Sequence, residues 1–195
     1  AAARLVSNPG CYPTGFLGLV APLVAAGLIP EDWPYTVNAV SGYSGGGKAL
    51  IERFESDAGA DIGFRTYGLD LSHKHVPEMQ IHAGLGLAPI FSPAVVRAFR
   101  GMMVEVPLPI SVMPGSDSPE EMRDALAAHY AGSPVVHVQE QLAPSELLIL
   151  NTQEPSDRLD LYVLGSPDNT QVRLLAMLDN LGKGASGAAV QNLNI

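Results

Sequence analysis

The chain has 195 residues, of which 47% are hydrophobic, and this is enough apolar material for one domain with a substantial core. Its formal net charge is −9, and its 11 Lys and Arg residues are too few for a nucleic-acid surface, so nucleic acid is excluded as a partner. A single cysteine excludes an internal disulfide and favours a reducing, cytoplasmic location, and no apolar run is long enough to predict a membrane span.

The first segment with a chemical signature is residues 8–15, NPGCYPTG, which contain Cys11. A strand is predicted just before it, at residues 4–7, and an apolar helix just after it, at residues 13–28. Cys11 is therefore predicted at a helix N-terminus, where free N–H groups and the helix dipole lower the pKa of a thiol and favour a nucleophile. A buried structural cysteine is the alternative. Since a domain seldom begins in such a turn, we expect a further domain before Ala1.

A strand predicted at residues 35–40 leads into the glycine loop 41–47 and a helix at 48–55. The loop fits the phosphate-binding pattern G-x-x-x-x-G-K, except that Ala49 replaces the Ser or Thr that holds magnesium. It also fits G-x-S-x-G in a strand–turn–helix context, which predicts a serine hydrolase with Ser44 as the nucleophile. Asp124 with His129 or His137 are the candidate partners of that serine. A third interpretation is that the glycines only allow a tight turn.

Residues 73–79, HKHVPEM, follow the segment 66–71 and are predicted to form a loop. His73, His75 and Glu78 place three titratable groups within six residues, which favours an acid–base role. A zinc site that includes His82 lacks a fourth ligand at recognised spacing, so no metal is predicted.

The remaining elements are mostly strands, predicted at 102–109, 135–138, 146–150, 159–164 and 171–178, with one helix at 118–130. The chain closes with residues 179–187, DNLGKGASG, and a short apolar helix. This glycine run fits G-x-G-x-x-G, but a dinucleotide-binding βαβ unit has no room to follow it. The pattern predicts an α+β fold with a mixed, largely antiparallel sheet.

Four segments together resemble the N-acetyl-γ-glutamyl-phosphate reductase family, in its shorter second type: residues 8–14, 41–48, 73–79 and 179–194. The family is related to aspartate-semialdehyde and glyceraldehyde-phosphate dehydrogenases. The resemblance implies their C-terminal catalytic domain, with helices on one side of the sheet. It also implies that residues 1–195 form a catalytic and oligomerisation domain, with a helix within residues 180–195 packing back on a Rossmann domain that this sequence lacks.

The resemblance implies NADPH-dependent reduction of N-acetyl-γ-glutamyl phosphate to the semialdehyde and phosphate, in arginine biosynthesis. Cys11 is the nucleophile that forms a thioester, His75 relays the proton, and Glu78 orients or tunes His75. His73 is the alternative relay. A homo-oligomer, either dimer or tetramer, is also implied. Two alternatives remain open: the serine hydrolase, and an inactive assembly module.

The same resemblance assigns the binding residues. The acyl phosphate is held by Ser41, Gly42, Ser44, Lys48 and His73, although Lys48 equally fits a surface salt bridge. Arg65 and Lys74 are the alternative cations.

For the cofactor NADP, the resemblance implies that Asn180, Gly184 and Ser186 face the nicotinamide.

Overall fold

A computed structural model describes residues 5–116, 118–140 and 145–194. Within them lie five α-helices and seven strands. The helices are α1 (Cys11–Ala25), α2 (Gly47–Glu55), α3 (His75–His82), α4 (Pro119–His129) and α5 (Gly187–Leu193). The strands are β1 (Thr36–Gly42), β2 (Phe64–Thr66), β3 (Ile90–Val96), β4 (Met102–Leu108), β5 (Val136–Val138), β6 (Leu159–Gly165) and β7 (Val172–Leu178).

All seven strands belong to one sheet with the order β2-β3-β1-β4-β7-β6-β5. The pairs β1–β3 and β5–β6 are parallel, and the other four neighbouring pairs are antiparallel. Because β1 and β3 are parallel neighbours, the chain between them must cross over, and it does so through α2, β2 and α3. The predicted α+β fold with a mixed, largely antiparallel sheet is confirmed.

The core lies between one face of the sheet and the helices α1, α3 and α4. Helix α1 packs on β4, β6 and β7, and its flanks contact α3 and α4. Along β4, Met102, Val104 and Val106 are fully buried toward this layer, while Met103 and Glu105 between them are only half-buried. This period of two is the pattern of a strand with one face in the core. The N-terminal end of α1 therefore lies beside the central strands.

Strands β2 and β3 and helix α3 are three elements that the sequence pattern did not predict. Pro93 interrupts β3, and proline cannot donate a ladder hydrogen bond. Its carbonyl accepts from the N–H of Tyr67, just beyond the end of β2. Since the nitrogen and carbonyl of a strand residue point to the same side, the missing donor faces the place where β2 stops. The missing N–H of Pro93 therefore costs the sheet little hydrogen bonding.

Two predicted strands do not form. Residues 146–150 make no ladder, and both Leu148 and Leu150 are more than half exposed. Residues 5–7 are also irregular, while Arg4, the first residue of that predicted strand, lies outside the described residues. Among the helices of the described ranges, none is both long and apolar enough to cross a membrane.

Candidate active site

One cavity of about 930 Å³ collects residues from all four of the segments that the sequence singled out. Cys11, Ser41, His73, His75 and Gly184 all line it. It opens beside the N-terminal end of α1.

Cys11 is the first residue of α1. Gly10 precedes it as the helix cap, in an extended conformation with φ −66° and ψ 153°. The side chain is partly exposed and lines the cavity. Cys11 therefore lies at a helix N-terminus, as the sequence predicts.

Burial raises the pKa of the Cys11 thiol above its ordinary value. This effect outweighs the backbone N–H groups of Tyr12 and Cys11 and the charge of Lys74, all of which lower it, and the Glu78 carboxylate acts in the same direction as burial. The N–H groups at the helix start lower this pKa as predicted, but the predicted net decrease is wrong, because the cost of burying a thiolate is larger. At neutral pH the thiol of this chain is protonated.

His75 is buried and begins α3, so the loop predicted for this segment is in fact a helix. Its ring lies directly over Gly10, where a Cβ atom would approach Nε2 to 2.4 Å. Burial, together with His73 and Lys74, lowers the pKa of His75 to about 4, so the imidazole is neutral at pH 7. Its Nδ1 atom is buried and has no hydrogen-bond partner among the described residues.

Glu78 lies in the first turn of α3 and reaches across to the segment that precedes Cys11. Its Oε1 accepts a hydrogen bond of 2.8 Å from the N–H of Gly10. Glu78 was predicted to orient or tune His75 instead. The recorded partner differs because the first turn of α3 faces the turn before α1, so the carboxylate meets a backbone donor there.

His73 contacts both His75 and a group of aromatic side chains. Its Nδ1 accepts a hydrogen bond of 3.2 Å from the N–H of His75, and its ring makes edge contacts with Tyr12, Tyr67 and Phe91. Burial also lowers the pKa of His73. Both histidines are thus held as neutral rings at one wall of the cavity.

The glycine loop divides between the cavity and the interior. Ser41 and Gly42 line the cavity, and the Ser41 hydroxyl donates to the Gly42 carbonyl at 3.0 Å. Ser44 is absent from the lining among the described residues. It is 4% exposed and accepts a hydrogen bond of 2.9 Å from the side-chain amide of Asn180.

These positions disfavour the serine hydrolase. Ser44 follows β1, whereas His137 lies on β5, four strands away in the sheet. Four strand spacings amount to about 19 Å, well beyond a hydrogen bond. Asp124 and His129 lie on α4, which packs against β5 and β6 at the same distant edge.

Lys48 extends from α2 into solvent, with 90% of its side chain exposed, and it pairs with Glu52 at 3.7 Å. The surface salt bridge is therefore its observed role, and it does not reach the cavity, because the first turn of α2 directs it outward. The cations of the described residues that do line the cavity are Arg53, Arg65 and Lys74. Arg53 was missed by the sequence analysis, since nothing in the pattern of α2 distinguishes it.

The glycine run near the C-terminus forms a turn of π-helix, Gly182–Ser186, in place of a nucleotide-binding loop. Gly184 lies against Cys11, and a Cβ atom on it would come within 3.0 Å of the cysteine Cβ. Ser186 also lines the cavity.

Asn180, in contrast, is 2% exposed, and its side-chain amide bonds inside the protein. Its oxygen accepts from the N–H of Gly101 at 2.8 Å, and its nitrogen donates to Ser44.

A buried ion pair that the sequence analysis did not identify fixes the start of this C-terminal segment. Asp179 is fully buried, and its Oδ2 accepts from Arg100 at 2.9 Å and from the N–H of Ser156 at 3.2 Å. Its Oδ1 accepts from the N–H of Leu181, and its carbonyl accepts from the N–H of Gly184. The ion pair thus supports the glycine that touches Cys11. In the sequence, Asp179 and Asn180 are an ordinary polar pair, and only their burial in the structure points to the ion pair.

Across residues 5–116, 118–140 and 145–194, the structure contains no cluster of three or more His, Cys, Asp or Glu side chains arranged to hold a metal ion.

A cysteine at a helix N-terminus, two histidines beside it and this mixed sheet are the features of an enzyme domain of the semialdehyde dehydrogenase class. The family model described as "Semialdehyde dehydrogenase, dimerisation domain" matches residues 11–180. The chain belongs to this family.

Individual relatives of the chain share one enzyme name. The chain is 50% identical over 200 residues to the N-acetyl-gamma-glutamyl-phosphate reductase of Rhizobium etli and 51% identical over 200 residues to that of Brucella ovis. Each match covers 100% of this chain and 64% of the relative. The chain therefore spans less than two thirds of the length of these relatives.

Solved structures agree with the fold. The chain is similar to aspartate semialdehyde dehydrogenase II from Vibrio cholerae, with a TM-score of 0.67 and 18% identity over 95% of this chain and 60% of that one. It is equally similar to a probable aspartate-semialdehyde dehydrogenase from Pseudomonas aeruginosa, with a TM-score of 0.67 and 18% identity over 98% of this chain and 62% of that one. At this identity the likeness concerns the fold alone.

Proposed function

We propose that this chain is the catalytic part of an NADPH-dependent reductase that converts N-acetyl-γ-glutamyl phosphate to N-acetyl-glutamate semialdehyde and phosphate, in arginine biosynthesis. The observation that carries the proposal is that Cys11 and His75, each the first residue of a helix, line one cavity. The names of the relatives at 50% and 51% identity support the choice of substrate.

Cys11 is the nucleophile in this proposal. Its sulfur attacks the carbonyl carbon of the acyl phosphate, the bond to phosphate breaks with its electron pair, and a thioester remains on the sulfur. Because burial keeps the thiol protonated, a base must take its proton during the attack. The neutral imidazole of His75 is suited to this task.

His75 then returns the proton. When the thioester is reduced, negative charge develops on the substrate oxygen of the thiohemiacetal, and a proton from His75 neutralises it. As the carbon–sulfur bond breaks, His75 takes the hydroxyl proton back and passes it to the sulfur, and the aldehyde leaves with Cys11 again a thiol. Glu78 assists by holding the Gly10 N–H, which keeps the turn before the nucleophile beside α3.

The phosphate and carboxylate groups of the substrate require donors and cations. Ser41 and Gly42 offer donors at the cavity wall, and Arg65 and Lys74 offer the charge first assigned to Lys48. His73, with its ring held among aromatic side chains, completes this wall.

The residues of the C-terminal segment fit one end of a nicotinamide cofactor. Gly184 and Ser186 line the cavity beside Cys11, and the absence of a side chain at Gly184 keeps the approach to the sulfur open. When bound, NADPH supplies the hydride that reduces the thioester. Asn180 supports this wall from inside through its bonds to Ser44 and Gly101.

The remaining parts of the proposal concern the whole protein. We propose that residues 1–195 form a catalytic and oligomerisation domain, and that α5 within residues 180–195 packs on a nucleotide-binding domain, since Val190 and Leu193 of α5 are 56% and 86% exposed. We further propose a cytoplasmic homo-oligomer, dimer or tetramer. The "dimerisation domain" of the family description and the lone cysteine support these choices.

The test is an assay of the protein at its full natural length, with N-acetyl-γ-glutamyl phosphate and NADPH, followed by the loss of NADPH absorbance. We expect turnover in the wild type, none in Cys11→Ser, and a decrease of about 10² or more in kcat for His75→Asn. His82→Asn is the matched control, because His82 is exposed at the other end of α3. Turnover by Cys11→Ser, or none by the wild type, contradicts the proposal.

A further inference from the structure

Gly10, the residue before the nucleophile, is held by contacts at both of its backbone polar groups. Its N–H donates to Glu78 at 2.8 Å. Its carbonyl accepts from the N–H of Thr14 at 3.0 Å and from the Thr14 hydroxyl at 2.9 Å. Its backbone angles, φ −66° and ψ 153°, are open to any L-amino acid. The conformation of the chain therefore does not require glycine at this position.

The space around Gly10 does require glycine. An ideal Cβ atom would lie 2.4 Å from Nε2, 2.7 Å from Cδ2 and 2.9 Å from Cε1 of His75. All three atoms belong to one imidazole ring, and the residue that carries it is only 9% exposed. A side chain at residue 10 would therefore have to displace the ring from its present contacts toward the cavity that His75 also lines. The volume that a side chain of residue 10 would fill is thus occupied by His75.

Hydrogen bonds do not account for the position of this ring. Its Nδ1 atom is buried without a partner among the described residues. The ring is instead packed between Gly10 and the rings of His73 and Tyr12, whose centroids lie 4.8 Å and 5.9 Å away. Packing against the backbone of residue 10 therefore sets where the imidazole lies.

We propose that Gly10 is a positioning residue, whose missing side chain forms the space in which the His75 imidazole lies beside the nucleophile. The inference rests on the proposed function for its catalytic consequence, but its geometric part stands on the contacts alone. Residue 10 is bonded directly to Cys11, so one peptide unit sets both the start of α1 and the location of the proton relay. A methyl group there displaces the ring while leaving the thiol and the cations of the cavity in place.

The kinetic expectation follows from this displacement. In the full-length protein, Gly10→Ala lowers kcat by about 10²-fold or more, because a general acid–base group contributes that much when it is correctly placed. The KM for the acyl phosphate changes less than threefold, since no substrate-binding residue is altered. Gly63→Ala is the matched control: Gly63 has no positive φ and no atom within 4 Å of the added methyl group, and it retains wild-type kcat.

A double-mutant cycle on thermal unfolding tests the geometry without any turnover. Gly10→Ala alone lowers Tm because of the clash with the ring. In a His75→Ala background the ring is gone, and the same Gly10→Ala change lowers Tm by less than half as much. If Gly10→Ala does not fold, the Gly10→Ala/His75→Ala protein still folds.

Three results overturn the inference: equal Tm decreases from Gly10→Ala in the two backgrounds, wild-type kcat in Gly10→Ala, or a double variant that fails to fold. The cycle is independent of the proposed reaction. A wild-type protein without acyl-phosphate reductase activity refutes the proposed function, whereas additive Tm changes refute the role of Gly10.

Discussion

Cys11 and His75 occupy equivalent positions, each at the first residue of a helix, and burial drives both to their neutral forms. The pKa of the thiol is raised and the pKa of the imidazole is lowered to about 4. The two shifts have the same cause, because a low-dielectric environment penalises whichever form is charged. In this chain the pair is therefore a neutral thiol beside a neutral imidazole. In the proposed mechanism, a proton transfer between them accompanies attack on the substrate.

The neutral state of His75 predicts a pH dependence of stability. An unfolded histidine has a pKa near 6.5, well above the value of about 4 for His75 in the folded chain. Between these two values the unfolded state binds the proton more strongly, so the free energy of unfolding falls as the pH falls from about 6.5 toward 4.

We expect the urea midpoint of the wild type to decrease between pH 7 and pH 5 by more than that of His75→Asn. His82→Asn should behave like the wild type, because His82 is exposed. Parallel curves for the wild type and His75→Asn would show that His75 is charged, or freely titrating, in the folded protein.

At the scale of elements, the site depends on the crossing of α1 and α3, and the Glu78–Gly10 hydrogen bond joins their first turns. The sequence predicted much of this arrangement. The Pro-Gly turn and the apolar run after it predicted α1 with Cys11 at its start. Five of the seven strands, β1, β4, β5, β6 and β7, were also predicted from the sequence. Periodicity describes each element separately, however, and it cannot show which elements meet.

The wrong and missing predictions also arise because a sequence pattern describes each element separately. The helix that begins at His75 was taken for a loop, because a Pro within a short histidine-rich segment carries no helical period. Lys48 was assigned to the substrate phosphate, with a surface salt bridge as the alternative, and it is the salt bridge with Glu52 that the structure shows. Arg53 and the Arg100–Asp179 ion pair were missed because their importance lies in contacts with distant segments.

Replacement of Glu78 separates its charge from its hydrogen bond. The Glu78 carboxylate charge raises the Cys11 pKa. Glu78→Gln removes that charge but keeps an oxygen that can accept from the Gly10 N–H. Iodoacetamide should therefore alkylate Cys11 in Glu78→Gln faster than in the wild type at pH 8. Glu78→Leu also leaves a partly buried N–H unpaired, which costs about 1–3 kcal/mol of stability.

The control for both variants is Glu52→Gln, which alters only an exposed pair with Lys48. Equal stability of Glu78→Leu and Glu78→Gln would show that the bond to Gly10 contributes nothing. Slower alkylation in Glu78→Gln would contradict the electrostatic role of the carboxylate.

At the scale of the whole molecule, α1, α3 and α4 cover one face of the sheet, while the second face is partly covered within the chain, since Leu175 on that face is 1% exposed. Met103 on β4 and Met177 on β7 are directly opposite one another on that second face, and both are half-buried. Beside them, Glu105 pairs with Arg173. The chain spans 64% of the length of its curated relatives.

We expect the second face of the sheet to join two copies of the protein. Met177→Asp places a charge at the centre of that face and should reduce the molecular mass in sedimentation equilibrium to that of a smaller assembly. Lys48→Glu, at an exposed position on α2, should leave the mass unchanged. An unaltered mass for Met177→Asp would place self-association on a different surface.

The acyl group on sulfur is the centre of the account, and trapping it is the most direct test. The full-length protein is mixed with N-acetyl-γ-glutamyl phosphate without NADPH, quenched in acid, digested and analysed by mass spectrometry, while released phosphate is counted. We expect one phosphate per active site and an N-acetyl-glutamyl adduct on the peptide that contains Cys11, with neither in Cys11→Ser. An adduct on Ser44 instead, or phosphate release that Cys11→Ser retains, would contradict the account.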